Sequence, residues 1–420
     1  MTSGSPRSAA RAEMAHATPV SPDRAAQVAG GRRPHVDALD GLRGAAVAAV
    51  LLFHAGLLDG GFLGVDLFFA LSGFLITGIL LGTAQGEGRV PLVRFWTRRA
   101  RRLLPALVCL VAVVLPAVWA WGTTAQARFA TQDAPWVAIQ AVNWHYIAEQ
   151  VGYWQASDSH VFAHLWSIGV EWQFYLVWPL VVAPAARCRN AHRIVLAVAA
   201  AGALVSLALM LQLGAAVDTT RAYEGTDTRA AALLLGAAAA TEPVQRRVRR
   251  VPGRVADGVC ATLLLGLGVS WVLTKGEEAP SLFQGGLFVH SLAATALIVL
   301  LVQAQRGRVA ALAGSRVPVW LGEVSYSLYL WHWPVYLLLL PRLAVLGEWG
   351  GAAVAIAVSL VLAEASRRFV EAPVRFRSGW ARGRRGPVVV AALAVGAIAL
   401  WALLPEPIPG GDTVDVTQLT

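Results

Sequence analysis

Residues 94–121 read RFWTRRARRLLPALVCLVAVVLPAVWAW, five arginines within nine residues and then nineteen residues without a charge. As a helix the uncharged run is about 28 Å long, close to the ~30 Å hydrocarbon core of a bilayer. Backbone polar groups in lipid must be satisfied within their own segment, so the run reads as a transmembrane helix. Arginine-rich ends stay on the cytoplasmic side, so the same stretch also gives the helix a direction.

The pattern repeats on both sides of this stretch. Apolar runs close to bilayer length end near Leu58 and cover about 61–81, 164–183, 194–213, 228–241, 255–274, 286–304, 318–341, 350–370 and 387–404. The segment Pro135–Ala148 is apolar enough to be another crossing. If it crossed, the arginine clusters at 187–193, 246–250, 306–316 and 375–385 would all face outside. If Gly122–Ala163 instead stays outside, all four fall inside and the acidic Glu277–Glu278 loop falls outside. The sequence therefore predicts an all-α polytopic membrane protein with about eleven transmembrane helices and one re-entrant or interfacial helix. The N-terminus is expected in the cytoplasm and the C-terminus outside it.

Composition agrees with that class. Of the 420 residues 56% are hydrophobic and 14% charged, where a soluble domain carries roughly a quarter charged residues. The strands of a membrane barrel would alternate in polarity, and these runs do not. A net charge of +10 raises nucleic-acid binding, but the arginines are split among short clusters between apolar runs and form no single patch. Cys109, Cys188 and Cys260 are not placed to form a disulfide in an outer loop. Residues 1–35, rich in Ala, Arg, Ser and Pro, are expected to form a disordered cytoplasmic tail. Residues 377–404 read as a basic loop with one further span, and 405–420 as a short external tail.

Charged groups inside hydrocarbon are costly, so each one calls for a reason. The first span holds Asp40, Arg43 and His54. Eleven positions separate Arg43 from His54, which puts them within about 20° of one helix face and about 16 Å apart along the axis. An imidazole there suits a general base that activates a hydroxyl, although a packed histidine bonded to a neighbouring helix fits the pattern too. The second span begins Gly64-Val65-Asp66 and continues Leu71-Ser72-Gly73. Asp66 lies near the outer boundary, and Ser72 with Gly73 reads first as a close helix approach. In the run from His164 to Tyr175, Glu171 sits about two turns below His164 on nearly the same face. A carboxylate so placed can support an imidazole, or pair with an arginine.

The basic loop expected to hold Arg98, Arg99, Arg101 and Arg102 is more than a topology signal requires. Spaced three apart they can grip phosphates bidentately, or hold anionic lipid headgroups. Within Ser325–Pro334, Tyr329 and His332 are i, i+3 neighbours that can meet substrate, while Tyr and Trp also serve as interfacial anchors.

Taken in order, Leu39–Arg43, His54, Gly64–Gly73, the arginine cluster, Trp166–Tyr175, Ser325–Pro334 and Phe369–Pro373 resemble the membrane-bound acyltransferase-3 family, from about Val36 to about Phe376. The resemblance implies transfer of an acyl group, often acetyl, from acyl-CoA as co-substrate to a hydroxyl of a carbohydrate, glycolipid or macrolide acceptor. No bound cofactor or metal is implied. The family's paired Arg/His positions fall on Arg43 and His54, its arginine motif on Arg98 with Arg101 or Arg99 with Arg102, and its carboxylate on Glu171. Asp40, Asp66, His164, Tyr329 and His332 remain as acceptor-side or supporting groups. Some relatives continue into a soluble hydrolase-like domain, which the sixteen residues after the last span are too few to form. Transfer can be direct, with Glu171 supporting His54, or pass through an acyl-histidine. A transporter or flippase of a lipid-linked or small acceptor is the alternative, since it too buries ionisable groups. It would be expected to show broken helices and duplicated halves, which this sequence lacks.

Overall fold

The computed structural model describes residues 35–152, 159–214, 219–276 and 279–374, with scattered positions between 392 and 401. Among these residues every regular element is helical. The elements used below are α1 (Asp37–His54), α2 (Gly64–Glu87), α3 (Leu92–Trp121), α4 (Thr124–Ala138), α5 (Val142–Ala148), α6 (Trp166–Ala185), α7 (Ala191–Leu213), α8 (Thr226–Ala239), α9 (Gly253–Leu273), α10 (Gly286–Gln303), α11 (Arg316–Leu339) and α12 (Gly347–Ser366). Among the described residues, seven stretches are long and apolar enough to cross a bilayer, and the seventh, Arg316–Glu371, turns at Leu340–Leu346 and so contains two helices, α11 and α12. The chain is an all-α, multi-pass membrane protein.

The expected spans near 164–183, 194–213, 255–274, 286–304, 318–341 and 350–370 fall on helices α6, α7, α9, α10, α11 and α12. The 228–241 span falls on α8, fourteen residues and about 21 Å long, shorter than a bilayer core. The N-terminal tail, Glu277–Glu278, most of 387–404 and residues 405–420 lie outside the described residues.

Two sequence expectations are corrected. The arginine cluster is not a loop but the opening turns of α3, a 30-residue helix. Gly88, at φ 70°, ends α2 in a left-handed cap that a side chain would strain, and α3 begins directly after Pro91. Second, the described residues of Gly122–Ala163 hold not one interfacial helix but two short ones, α4 and α5. Thr123 and Gln126 cap α4 reciprocally, and the chain breaks at Gln140, whose φ is 60°. A helix broken there cannot supply a single crossing.

Close helix contacts hold the core together. At Gly322 of α11 an added Cβ would sit 1.8 Å from the Asp40 carbonyl oxygen of α1, and at Gly73 of α2 the same distance from the Leu233 carbonyl oxygen of α8. Only residues without side chains let these backbones meet. The α1–α11 contact places the first span's charged face directly against the Ser325–Pro334 segment.

Candidate active site

A cavity opens between α1, α2, α3, α6 and α11. Arg43, Arg99 and Arg102 line it together with Ser72, Glu171 and Tyr329. The helical start of α3 explains which arginines take part. Arg99 and Arg102, three apart, share a face, and the Arg99 guanidinium lies 5.8 Å from the centre of the Tyr175 ring. Arg98 is exposed on the surface. Arg101 turns away and donates to the Val374 carbonyl at 3.1 Å. Arg43 is steadied by Asp40 of its own helix at 3.6 Å, and Asp40 also meets His35 at 2.9 Å. Asp40 therefore serves the arginine and does not line the cavity.

His54 lies at the opposite end of α1. Its Nδ1 is 3.1 Å from the Val50 carbonyl oxygen and 3.1 Å from Nε2 of His332. A carbonyl can only accept, so Nδ1 carries the hydrogen and Nε2 keeps its lone pair. The ring is half-buried and lies 4.7 Å from Trp333 and 5.0 Å from His332, centre to centre. His164 joins this cluster with its ring 5.5 Å from that of His332, and its Nε2 donates to the Leu330 carbonyl at 3.1 Å.

Glu171 does not join His54 or His164. It accepts hydrogen bonds from Ser72 and Tyr175 inside the arginine cavity. The expected shared face fails because Ala163–Leu165 form a tight 3-10 turn, which rotates His164 away from α6. Ser72, read first as a packing residue, is thus a cavity group, whereas Gly73 does serve packing. Tyr175, four residues after Glu171 on the same face, could have been found from that spacing.

Tyr329 belongs to both groups. It lines the cavity, and its ring lies 5.6 Å from His164 and 5.4 Å from His332. Its hydroxyl donates to the His164 carbonyl at 2.7 Å and accepts from Ser167 at 2.7 Å. The Arg43–Arg99–Arg102 cavity and the histidine cluster are therefore neighbouring compartments with Tyr329 between them.

Asp66 stands apart from both compartments. It is buried against Arg229 of α8 at 3.1 Å and accepts from Ser291 at 3.0 Å. Phe69, Trp166 and Tyr223 surround that guanidinium at 5.6, 5.7 and 4.9 Å. Arg229 sits inside an apolar run, and the rule that flagged Arg43 should have flagged it too.

Residues 36–364 match a family described as an acyltransferase domain, acyltransferase-3. This chain belongs to that family. It is 32% identical over 355 residues to the O-acetyltransferase OatA of Staphylococcus aureus, covering 81% of this chain and 57% of that protein. It is 32% identical over 353 residues to the peptidoglycan O-acetyltransferase OatA of Listeria monocytogenes, covering 82% of this chain and 56% of that one. The chain thus spans somewhat over half the length of these relatives. No solved structure matches it.

Proposed function

We propose that this protein is a membrane-embedded O-acyltransferase that moves an acyl group, acetyl by likeness to its relatives, from acyl-CoA to a hydroxyl of a carbohydrate acceptor. The observation that carries the reading is the pairing of two compartments. Three arginines from α1 and α3 converge on one cavity, and an imidazole with an open Nε2 lies beyond Tyr329. Arginine forks suit the phosphates of the donor, and the ~16 Å between Arg43 and His54 suits an extended thioester arm.

In the proposed reaction His54 Nε2 takes the proton of the acceptor hydroxyl. The freed oxygen attacks the thioester carbonyl carbon, the C–S bond breaks and the CoA thiolate leaves. His54 then returns the proton from Nε2 to the thiolate. Glu171 is reassigned in this scheme. Held by Ser72 and Tyr175 beside Arg99 and Arg102, it orders the donor cavity and leaves the proton to His54. The basic clusters support placing the arginine end toward the cytoplasm, where acyl-CoA is made, and His54 toward the acceptor outside.

The test supplies purified protein in nanodiscs with labelled acetyl-CoA and peptidoglycan fragments. Label should appear on the carbohydrate with wild type and not with His54→Ala. Transfer by His54→Ala at the wild-type rate would remove the mechanism.

A further inference from the structure

The hydrogen-bond partners of His332 define a second imidazole for the reaction. His332 is fully buried, and its Nδ1 faces two carbonyl oxygens of its own helix, Tyr329 at 2.7 Å and Leu328 at 3.2 Å. Both can only accept, so Nδ1 bears the hydrogen and Nε2 is left as an acceptor. That Nε2 lies 3.1 Å from His54 Nδ1, whose single hydrogen is shared between it and the Val50 carbonyl oxygen, also 3.1 Å away. The chain of donors therefore runs one way, from His54 through His332 to the α11 backbone.

We propose that His332 is the positioning residue of His54, holding its ring so that Nε2 faces the acceptor and stabilising the charge that appears when Nε2 takes up a proton. This rests on the reading of His54 as the base. It gives a neutral imidazole, 278 residues away in sequence, the part that a carboxylate plays in a serine-hydrolase triad. A neutral partner suits this location. A carboxylate beside His54 would be an uncompensated charge among Phe53, Trp333 and the other histidines while His54 is neutral. The bond from Nδ1–H strengthens only as His54 becomes charged, so its benefit falls on the transition state and not on substrate binding.

The experiment compares His332→Gln, His332→Asn and His332→Leu with wild type and with His54→Ala. A Gln amide oxygen reaches the place of Nε2 and can still accept from His54, whereas Asn reaches only the place of Nδ1. The expected result is a kcat loss on the order of 10²-fold for Leu and Asn with KM for both substrates unchanged, and partial recovery in Gln. If His54→Ala is inactive but Gln and Asn behave alike, His332 has no such role and the base reading survives. Should His54→Ala be fully active, both fall. A readout free of folding effects is the ¹⁵N spectrum of histidine-labelled wild-type protein, assigned by difference from His54→Ala. It should show His54 protonated at Nδ1 and bare at Nε2, and the opposite tautomer would overturn the inference.

Discussion

Neutralising the α3 arginines one at a time should separate donor binding from topology. Arg99 and Arg102 line the cavity, Arg101 is bonded to the Val374 carbonyl, and Arg98 is exposed. A hydrogen bond to a charged group is worth about 1.5–3 kcal/mol, which corresponds to roughly 10- to 150-fold in affinity. Arg99→Gln and Arg102→Gln should each raise the KM for acyl-CoA within that range, with little change in the KM for the carbohydrate. Arg99→Lys should recover only part of the loss, because an ammonium lacks the planar fork that meets two phosphate oxygens and does not stack on Tyr175 in the same way. Arg98→Gln should change donor binding by no more than about 5-fold, since an exposed charge contributes only about 0–1 kcal/mol. The assay is an acyl-CoA titration at fixed acceptor in nanodiscs of uncharged lipid, so that headgroup binding does not contribute. Equal effects of Arg98→Gln and Arg99→Gln, or a Lys variant with wild-type donor affinity, would refute the cavity assignment and favour lipid anchoring.

Three further outcomes are expected. Breaking the Asp66–Arg229 pair, whose side chains are 2% and 1% exposed, should cost about 3–5 kcal/mol in denaturant titration. Arg229→Ala should be the worse variant, because Asp66→Ala leaves the guanidinium its three aromatic faces; the reverse order would contradict the cage. Burial alone pushes the Asp133 carboxyl up, but the His145 ring at 3.4 Å and hydrogen bonds from His160 and Tyr146 outweigh it and hold the group below the ordinary aspartate range. Its stabilising contribution should be full above the unfolded aspartate pKa of about 3.9 and vanish as pH falls through the lower folded value; Asp133→Asn should flatten that acid limb of a melting-temperature profile, and an unchanged limb would count against it. Gly322→Ala should unfold the α1–α11 contact, while Gly266→Ala, which meets nothing within 4 Å, should stabilise by up to about 1 kcal/mol; equal melting temperatures would deny the close approach.

What the sequence could tell was set by how local each signal is. Apolar length and arginine placement are properties of single segments, and they lead directly to an all-helical membrane protein. His54, Arg43 and Glu171 stood out for the same reason, as ionisable groups within apolar runs. Their partners did not, because partnership depends on how helices far apart in sequence are rotated against one another. His54 and His332 are 278 residues apart, and Ser72 and Glu171 are 99. Which arginines line the cavity, Arg99 and Arg102 but neither Arg98 nor Arg101, is likewise a matter of helix rotation. The His164–Glu171 pairing failed on a smaller scale: periodicity assumes a continuous α-helix, and one tight turn at Ala163–Leu165 breaks the register.

The division at Tyr329 bears on how such an enzyme could keep its substrates apart. A thioester that must not hydrolyse gains from a cavity closed to the acceptor side until the acceptor arrives. Tyr329 is held by two hydrogen bonds of 2.7 Å, one to the His164 backbone and one from Ser167, and it borders the cavity on one side and the histidines on the other. Each such bond contributes a net ~1 kcal/mol, so turning the ring aside would cost about 2 kcal/mol. If the three arginines bind a donor's phosphates as proposed, that cost is small beside the binding energy those contacts supply. The arginine compartment would then serve more than affinity: interactions far from the reacting carbon would offset the cost of opening the wall next to it.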